Sequence, residues 1–192
     1  MDENELIKAC INHSQTAQKE LFYTYYAEMK NLVQYYCNNE DDVKAIVNHG
    51  FMDVFTHIGG FKQKSSLKTW IKRIMINRAI QYYRIEKREK ERTTSLDSGS
   101  VLYVDDIEIA ENGMQNLELK ELIKIIQSLP FHERTVFNMF IIEGYSHKEI
   151  ALSLEFAEGT SRWYLNNAKK MLKAELIRIE KYERRGKIKE NI

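Results

Sequence analysis

Arg162, Trp163, Asn166, Asn167, Lys169 and Lys170 recur at steps of three and four residues, which places them on one face of a helix. Carboxamides at that spacing can pair with adenine, and the cations can pair with guanine or with phosphate oxygens. Thr160 and Ser161 stand just ahead of them and extend the same candidate set. Leu165, Ala168 and Leu172 take the opposite side of the turn, so this helix divides into an apolar half and a DNA-compatible half.

A second cluster lies upstream. Lys68, Lys72, Arg73, Arg78 and Arg84 surround Trp70, Tyr82 and Tyr83. Interleaved cations and rings can hold phosphates and stack on unpaired bases, which single strands offer and duplexes hide. Trp70 itself reads better as a core anchor, since aromatic rings dominate core burial. Asn77 lies among apolar neighbours and is open to two readings, a satisfied buried amide or a base-reading group.

No constellation suits covalent chemistry. His13, His49, His57, His132 and His147 are scattered without partners at metal-ligand spacing. Asp105-Asp106 sits in a turn-rich stretch, a poor platform for a preorganised metal site. No cofactor, metal, small-molecule substrate or enzymatic activity is therefore expected. Cys10 and Cys37, the two cysteines, lack metal spacing and read as reduced residues of a cytoplasmic protein.

The elements that must position these residues are helical. One Pro and eight Gly in 192 residues, with no sustained period-two alternation, exclude a substantial sheet. A short helix is expected around 5–11 and a longer one from about Thr16 to Cys37, with Phe22, Tyr25, Met29, Leu32 and Tyr36 inward. Asp41 or Asp42 starts the next, with Val43, Ile46, Val47, Phe51, Val54 and Ile58 inward, and Gly59-Gly60 ends it. A polar connection, 61–66, leads to a helix from Leu67 with Trp70, Ile71, Ile74 and Ile80 inward. Residues 93–115 break every periodicity and read as a weakly ordered linker. Beyond it, Leu119, Leu122, Ile123, Ile126 and Leu129 form one face of a helix stopped by Pro130. Val136, Phe137, Phe140 and Ile141 make another, ended by Gly144. Ser146 with Glu149 forms a capping box for a helix carrying Ile150, Ala151 and Leu154, and Glu155-Phe156-Ala157 bridges to the basic helix. That pair has the layout of a helix-turn-helix with its recognition helix second. The basic end, 183–192, is expected to fray.

Charge follows the same divisions. Residues 1–58 hold nine acids and four bases, 59–93 eleven bases and three acids, 94–118 six acids and no base, and 159–192 ten bases and four acids. Two basic blocks separated by an acidic stretch suit more than one contact with a polyanion. No apolar run is long enough to span a bilayer, and the acidic start, Met1-Asp2-Glu3-Asn4-Glu5, has the wrong charge for a secretory signal.

Taken together, this order resembles a bacterial sigma factor of the extracytoplasmic-function group of the sigma-70 family. In the first half the resemblance rests on Asp42-Val43, Val47-Asn48-His49-Gly50-Phe51, Leu67-Lys68-Thr69-Trp70-Ile71 and Arg73-Ile74-Met75-Ile76-Asn77. In the second it rests on Leu129-Pro130, Val136-Phe137, Glu143-Gly144-Tyr145-Ser146, Glu149-Ile150-Ala151, Gly159-Thr160 and Ala168-Lys169-Lys170-Met171-Leu172. It implies an all-α chain of two small helical domains, a region 2 domain at 1–92 and a region 4 domain at 116–182. A flexible acidic linker, 93–115, joins them and threads the polymerase interior; a basic tail occupies 183–192.

The resemblance also implies roles. Contacts with the −35 promoter element fall on Thr160, Ser161, Arg162, Trp163, Asn166, Asn167, Lys169 and Lys170. Contacts with the −10 element, including a base extruded from the non-template strand, fall on Lys62, Lys64, Ser65, Lys68, Lys72, Arg73, Asn77 and Arg78. Docking on core RNA polymerase falls to Asp41, Asp42, Asn48, Phe51, Asp53 and Phe55. The implied partners are core RNA polymerase, promoter DNA and an anti-sigma factor, which in this group is often membrane-bound. Family members usually carry Gly where Glu155 stands and a capping Ser where Ala157 stands, which predicts a different turn here. The competing function is a conventional helix-turn-helix regulator working without being a polymerase subunit. It would need a ligand pocket or a dimerising helix, and the sequence shows neither a distinctive site nor a long heptad run.

Overall fold

The computed structural model describes residues 2–93 and 115–189, with side-chain surroundings for 2–85 and 121–179. Most of the described residues are helical, and none of them lies in a strand. The chain divides into two compact units, Met1–Ile107 and Glu108–Ile192. Nearly all of the expected linker, and Asp105-Asp106 within it, lies outside the described residues.

The first unit begins with α1 (Glu3–Ile11), opened by a capping box in which Asp2 accepts from the Glu5 amide at 2.8 Å. The second helix, α2 (Gln15–Gln34), starts at Ser14, whose hydroxyl caps the Ala17 amide. Asn39 caps α3 (Glu40–His57) through the Asp41 amide at 2.8 Å, and three acids in its first turn favour the positive end of the helix dipole. A single 3₁₀ turn, Ile58–Gly60, then ends the helix. After the 61–66 connection comes α4 (Leu67–Thr93), with Ser66 capping the Thr69 amide at 3.2 Å.

The core of this unit joins Leu21, Met29 and Val33 of α2 to Val43, Ile46, Val47, Phe51 and Val54 of α3. Leu67, Ile71, Met75, Ile76 and Ile80 of α4 complete it. The α3–α4 crossing is close: a Cβ on Gly50 would lie 2.3 Å from the Met75 sulfur, so a larger residue there would have to displace the buried Met75 side chain. The inward stripe of α4 differs from the expected one. Met75, Ile76 and Ala79 are buried, while Trp70 and Ile74 are only half-buried. Cys10 is buried and Cys37 half-buried, both outside any disulfide, and burial raises the Cys10 thiol above its ordinary range.

The second unit contains α5 (Gln115–Gln127), α6 (Phe131–Phe137), a π-helical turn (Asn138–Ile142), α7 (His147–Leu154) and α8 (Glu158–Lys189). Ile123, Ile126, Leu129, Val136, Met139, Ile150, Leu154, Leu165 and Ala168 are buried together. Leu122 and Ile141, expected inside, are about half exposed. The π-turn explains Ile141, because one extra residue per turn rotates the side chains that follow out of the stripe. Arg134 is buried and donates to the Gln127 carbonyl at 2.9 Å, tying α6 to the end of α5. Gly144 reverses the chain at φ +74°. The basic stretch from 183 does not leave the helix: α8 continues to Lys189.

Candidate nucleic-acid interface

The α7–α8 pair is fixed at three points. At the start of α7, Ser146 accepts from the Glu149 amide at 3.2 Å, and the Glu149 carboxylate accepts from the Ser146 amide at 2.9 Å. At its end, Glu155 takes the left-handed conformation, φ 60° and ψ 45°, and the Phe156 amide reaches back to the Ala151 carbonyl at 3.1 Å. The expectation of a different turn is thus corrected. Glu155 adopts the glycine-like geometry itself, at a cost of roughly 1–2 kcal/mol that the buried contacts of Ile150 and Leu154 offset. Between the helices, the His147 ring meets the Ser161 hydroxyl at 2.8 Å and stacks on Phe140 at 4.4 Å. Burial first, and then the nearby Arg162 charge, pull the His147 imidazole below its ordinary value.

These contacts decide which face of α8 looks outward. Leu165 and Ala168 are buried, and Ser161 is 0% exposed, so Ser161 leaves the expected DNA-facing set: its hydroxyl is a tie between helices. Arg162, Trp163, Asn166, Lys169 and Lys170 are exposed on the other side, and Thr160 and Asn167 are half-buried at its margins. Arg162 lies 3.8 Å from Glu158, one turn back, an exposed pair too weak to hold the guanidinium from another ligand. Trp163 rests edge-on against Tyr164, ring centroids 5.0 Å apart.

In the first unit, the 61–66 connection brings Phe61 onto Trp70 at 5.2 Å. This ring pair was hidden in the sequence, because Trp70 read as a core residue and is instead half-buried at the surface. Lys62, Lys64, Arg73 and Asn77 are exposed, and Ser65 is half-buried. Exposure settles the two readings of Asn77 against a buried amide.

The remaining cations of that set are engaged within the unit. Lys68 and Lys72 both reach Glu28 of α2, at 2.9 and 3.5 Å. Arg78 donates from Nε to Asp53 of α3 at 2.8 Å, with a second contact from the same guanidinium. Glu28 has no sequence signal, since only the α2–α4 packing brings it to residues forty positions away.

The face expected to dock on polymerase divides in the same way. Asp41 and Asn48 are exposed and Phe55 half-buried along one side of α3, and Met52, 64% exposed, joins them at helical spacing. Asp42 and Asp53 point instead toward α4, Asp42 accepting from the Tyr82 hydroxyl at 2.7 Å. Phe51 is 1% exposed against Phe22, ring centroids 4.7 Å apart, so it is a core residue rather than a docking residue. On the same helix, Glu40 bonds Lys30 and Lys44, at 3.0 and 3.3 Å, which holds its carboxyl below the usual range. Among the described residues no group of His, Cys, Asp and Glu could hold a metal ion, and no helix is long and apolar enough to cross a membrane.

Comparison with known proteins adds to this geometry. The family model for Sigma-70 region 2 matches residues 21–89, and that for Sigma-70, region 4 matches residues 119–172, together well over half the chain. An ECF RNA polymerase sigma-E factor of Haemophilus influenzae is 25% identical over 185 residues, covering 90% of this chain and 96% of that one. Its Escherichia coli K12 counterpart is 26% identical over 170 residues, 84% of this chain and 87% of that one. Among solved structures, the sigma factor RpoE of Bartonella quintana, bound to the anti-sigma factor NepR, matches with a TM-score of 0.57. The identity is 18%, covering 82% of this chain and 95% of that one. CnrH bound to the cytosolic domain of CnrY matches with a TM-score of 0.52 at 19% identity, covering 89% and 94%.

Proposed function

The chain belongs to the sigma-70 family, in its extracytoplasmic-function group, and from that premise we propose how it works. It is a sigma factor: it binds core RNA polymerase and directs transcription to specific promoters, performing no covalent chemistry itself. The observation that supports this best is that both family regions occur in order, one on each compact unit, each with its own outward cationic surface.

We assign the upstream −35 element to the exposed face of α8, with Arg162, Trp163, Asn166, Lys169 and Lys170 toward the groove and Thr160 and Asn167 at its edges. The −10 element is assigned to the 61–66 connection and the start of α4. Lys62, Lys64, Ser65, Arg73 and Asn77 are available there, beside the Phe61–Trp70 ring pair. Lys68, Lys72 and Arg78 take part only by exchanging their carboxylate partners for phosphate. Polymerase docks on α3 through Asp41, Asn48, Met52 and Phe55, while Asp42 and Asp53 brace α4 behind them. The working domains are 1–92, 93–115 as tether, 116–182, and 183–192 as a basic extension. An anti-sigma protein is the regulatory partner, and the site of action is the cytoplasm, where polymerase and DNA meet.

In vitro transcription with and without added core enzyme tests this reading. The expected result is specific initiation only with both components and weak specific DNA binding by the free chain. Tight promoter binding without polymerase would identify a conventional helix-turn-helix regulator instead.

A further inference from the structure

Trp163 stands between Arg162 and Asn166 near the beginning of α8, where the residues of a recognition helix reach base edges. It is 56% exposed, an unusual position for the largest apolar side chain. Nor is it loose. Tyr164 meets it edge-to-face at 5.0 Å and is held in turn by His132 of α6 at 5.1 Å and Phe156 of the turn at 5.7 Å. The indole is thus presented outward from a braced aromatic row.

An indole offers a flat apolar surface and one N–H donor, with no acceptor. In the major groove cytosine presents an amino donor, and adenine an amino donor beside its N7, so each offers a donor that the indole cannot accept. Guanine presents acceptors but no apolar group. Thymine alone sets an acceptor, O4, beside a methyl group, which matches both properties of the ring.

We propose that Trp163 is a specificity-determining residue that reads a thymine of the upstream promoter element through its 5-methyl group. This deepens the assignment of α8 to that element and rests on it. Arg162 and Asn166 on either side read neighbouring bases by hydrogen bonds, so the three side chains divide the site between polar and apolar recognition.

The test uses the full chain assembled with core polymerase and a duplex pool randomised across the upstream element. Sequences that support transcription are selected, and each selected thymine is then replaced in turn by deoxyuridine, which keeps O4 and lacks only the methyl. One such replacement is expected to lower wild-type transcription about fourfold, the worth of one buried methyl group. Trp163→Ala should lose the preference at that position alone and become indifferent to deoxyuridine there. Since the side chain is largely exposed, its truncation leaves the core intact. The proposal is overturned if no selected thymine is sensitive to its methyl, or if Trp163→Ala keeps the same penalty. A pool from which wild type selects nothing upstream would overturn it together with the assignment of α8, a result distinct from loss of methyl sensitivity alone.

Discussion

Arg162 and Asn166 are one turn apart on the open side of α8, and neither is needed for packing. Replacing either with Ala should cost about 1–3 kcal/mol of upstream-element recognition, the value of a good bidentate base contact, with the melting temperature unchanged. Normal transcription by both variants from every promoter would reject the face assigned to DNA. Phe51 behaves in the opposite way. Its ring is buried against Phe22, so Phe51→Ala should destabilise the first unit by about 3–5 kcal/mol in denaturant unfolding. Its exposed neighbour Met52→Glu should leave stability unchanged and weaken the capture of core enzyme. If Met52→Glu bound polymerase as well as wild type, the docking side of α3 would have to be redrawn. Residue type does not tell these two neighbours apart, since both are large and apolar; the apolar period of α3 points Phe51 inward, and the packing of α3 against α2 buries it there.

At the scale of elements, the buried site of His147 between α7 and α8 favours a neutral imidazole. Burial depresses the His147 value in the folded chain, so the unfolded chain takes up that proton first as pH falls. Stability from this group is therefore full above about pH 6.5 and declines as pH drops through that ordinary value toward the depressed one. Thermal unfolding of the second unit can be followed by Trp163 fluorescence in a Trp70→Phe background. The melting temperature should fall below pH 6.5 in wild type, and much of that slope should vanish in His147→Gln. An identical slope in the variant would place the titrating group elsewhere. The pairing of His147 with Ser161 was not legible in the sequence. Ser161 read as a DNA contact because its neighbours are, and a serine carries no mark that distinguishes an inward hydroxyl from an outward one. The capping box at Ser146 and Glu149, by contrast, was fully legible, because both partners lie within four residues.

At the scale of the whole molecule, two units with separate cationic surfaces serve one polymerase, so the distance between their DNA sites becomes part of promoter specificity. Lengthening the spacer between the two promoter elements by about five base pairs, half a turn of B-DNA, should reduce transcription to background. Equal initiation at every spacing would mean that only one unit reads DNA. Salt dependence adds to this picture: with carboxylates already occupying Lys68, Lys72 and Arg78, fewer cations are open to phosphate in the first unit than its composition suggests.

The sequence alone determined the all-α class, the helix starts marked by short-range caps, the segregation of charge, and the family to which the chain belongs. All of these depend on residues near one another or on their order along the chain. Tertiary structure decided which members of each functional cluster face outward. Glu28 with Lys68, Asp53 with Arg78, and Phe61 against Trp70 are set by how helices rotate and cross, and Gly50 against Met75 by how closely they approach. Side-chain type restricts a residue to an apolar or polar role, but the partner it meets is fixed by the packing of distant segments.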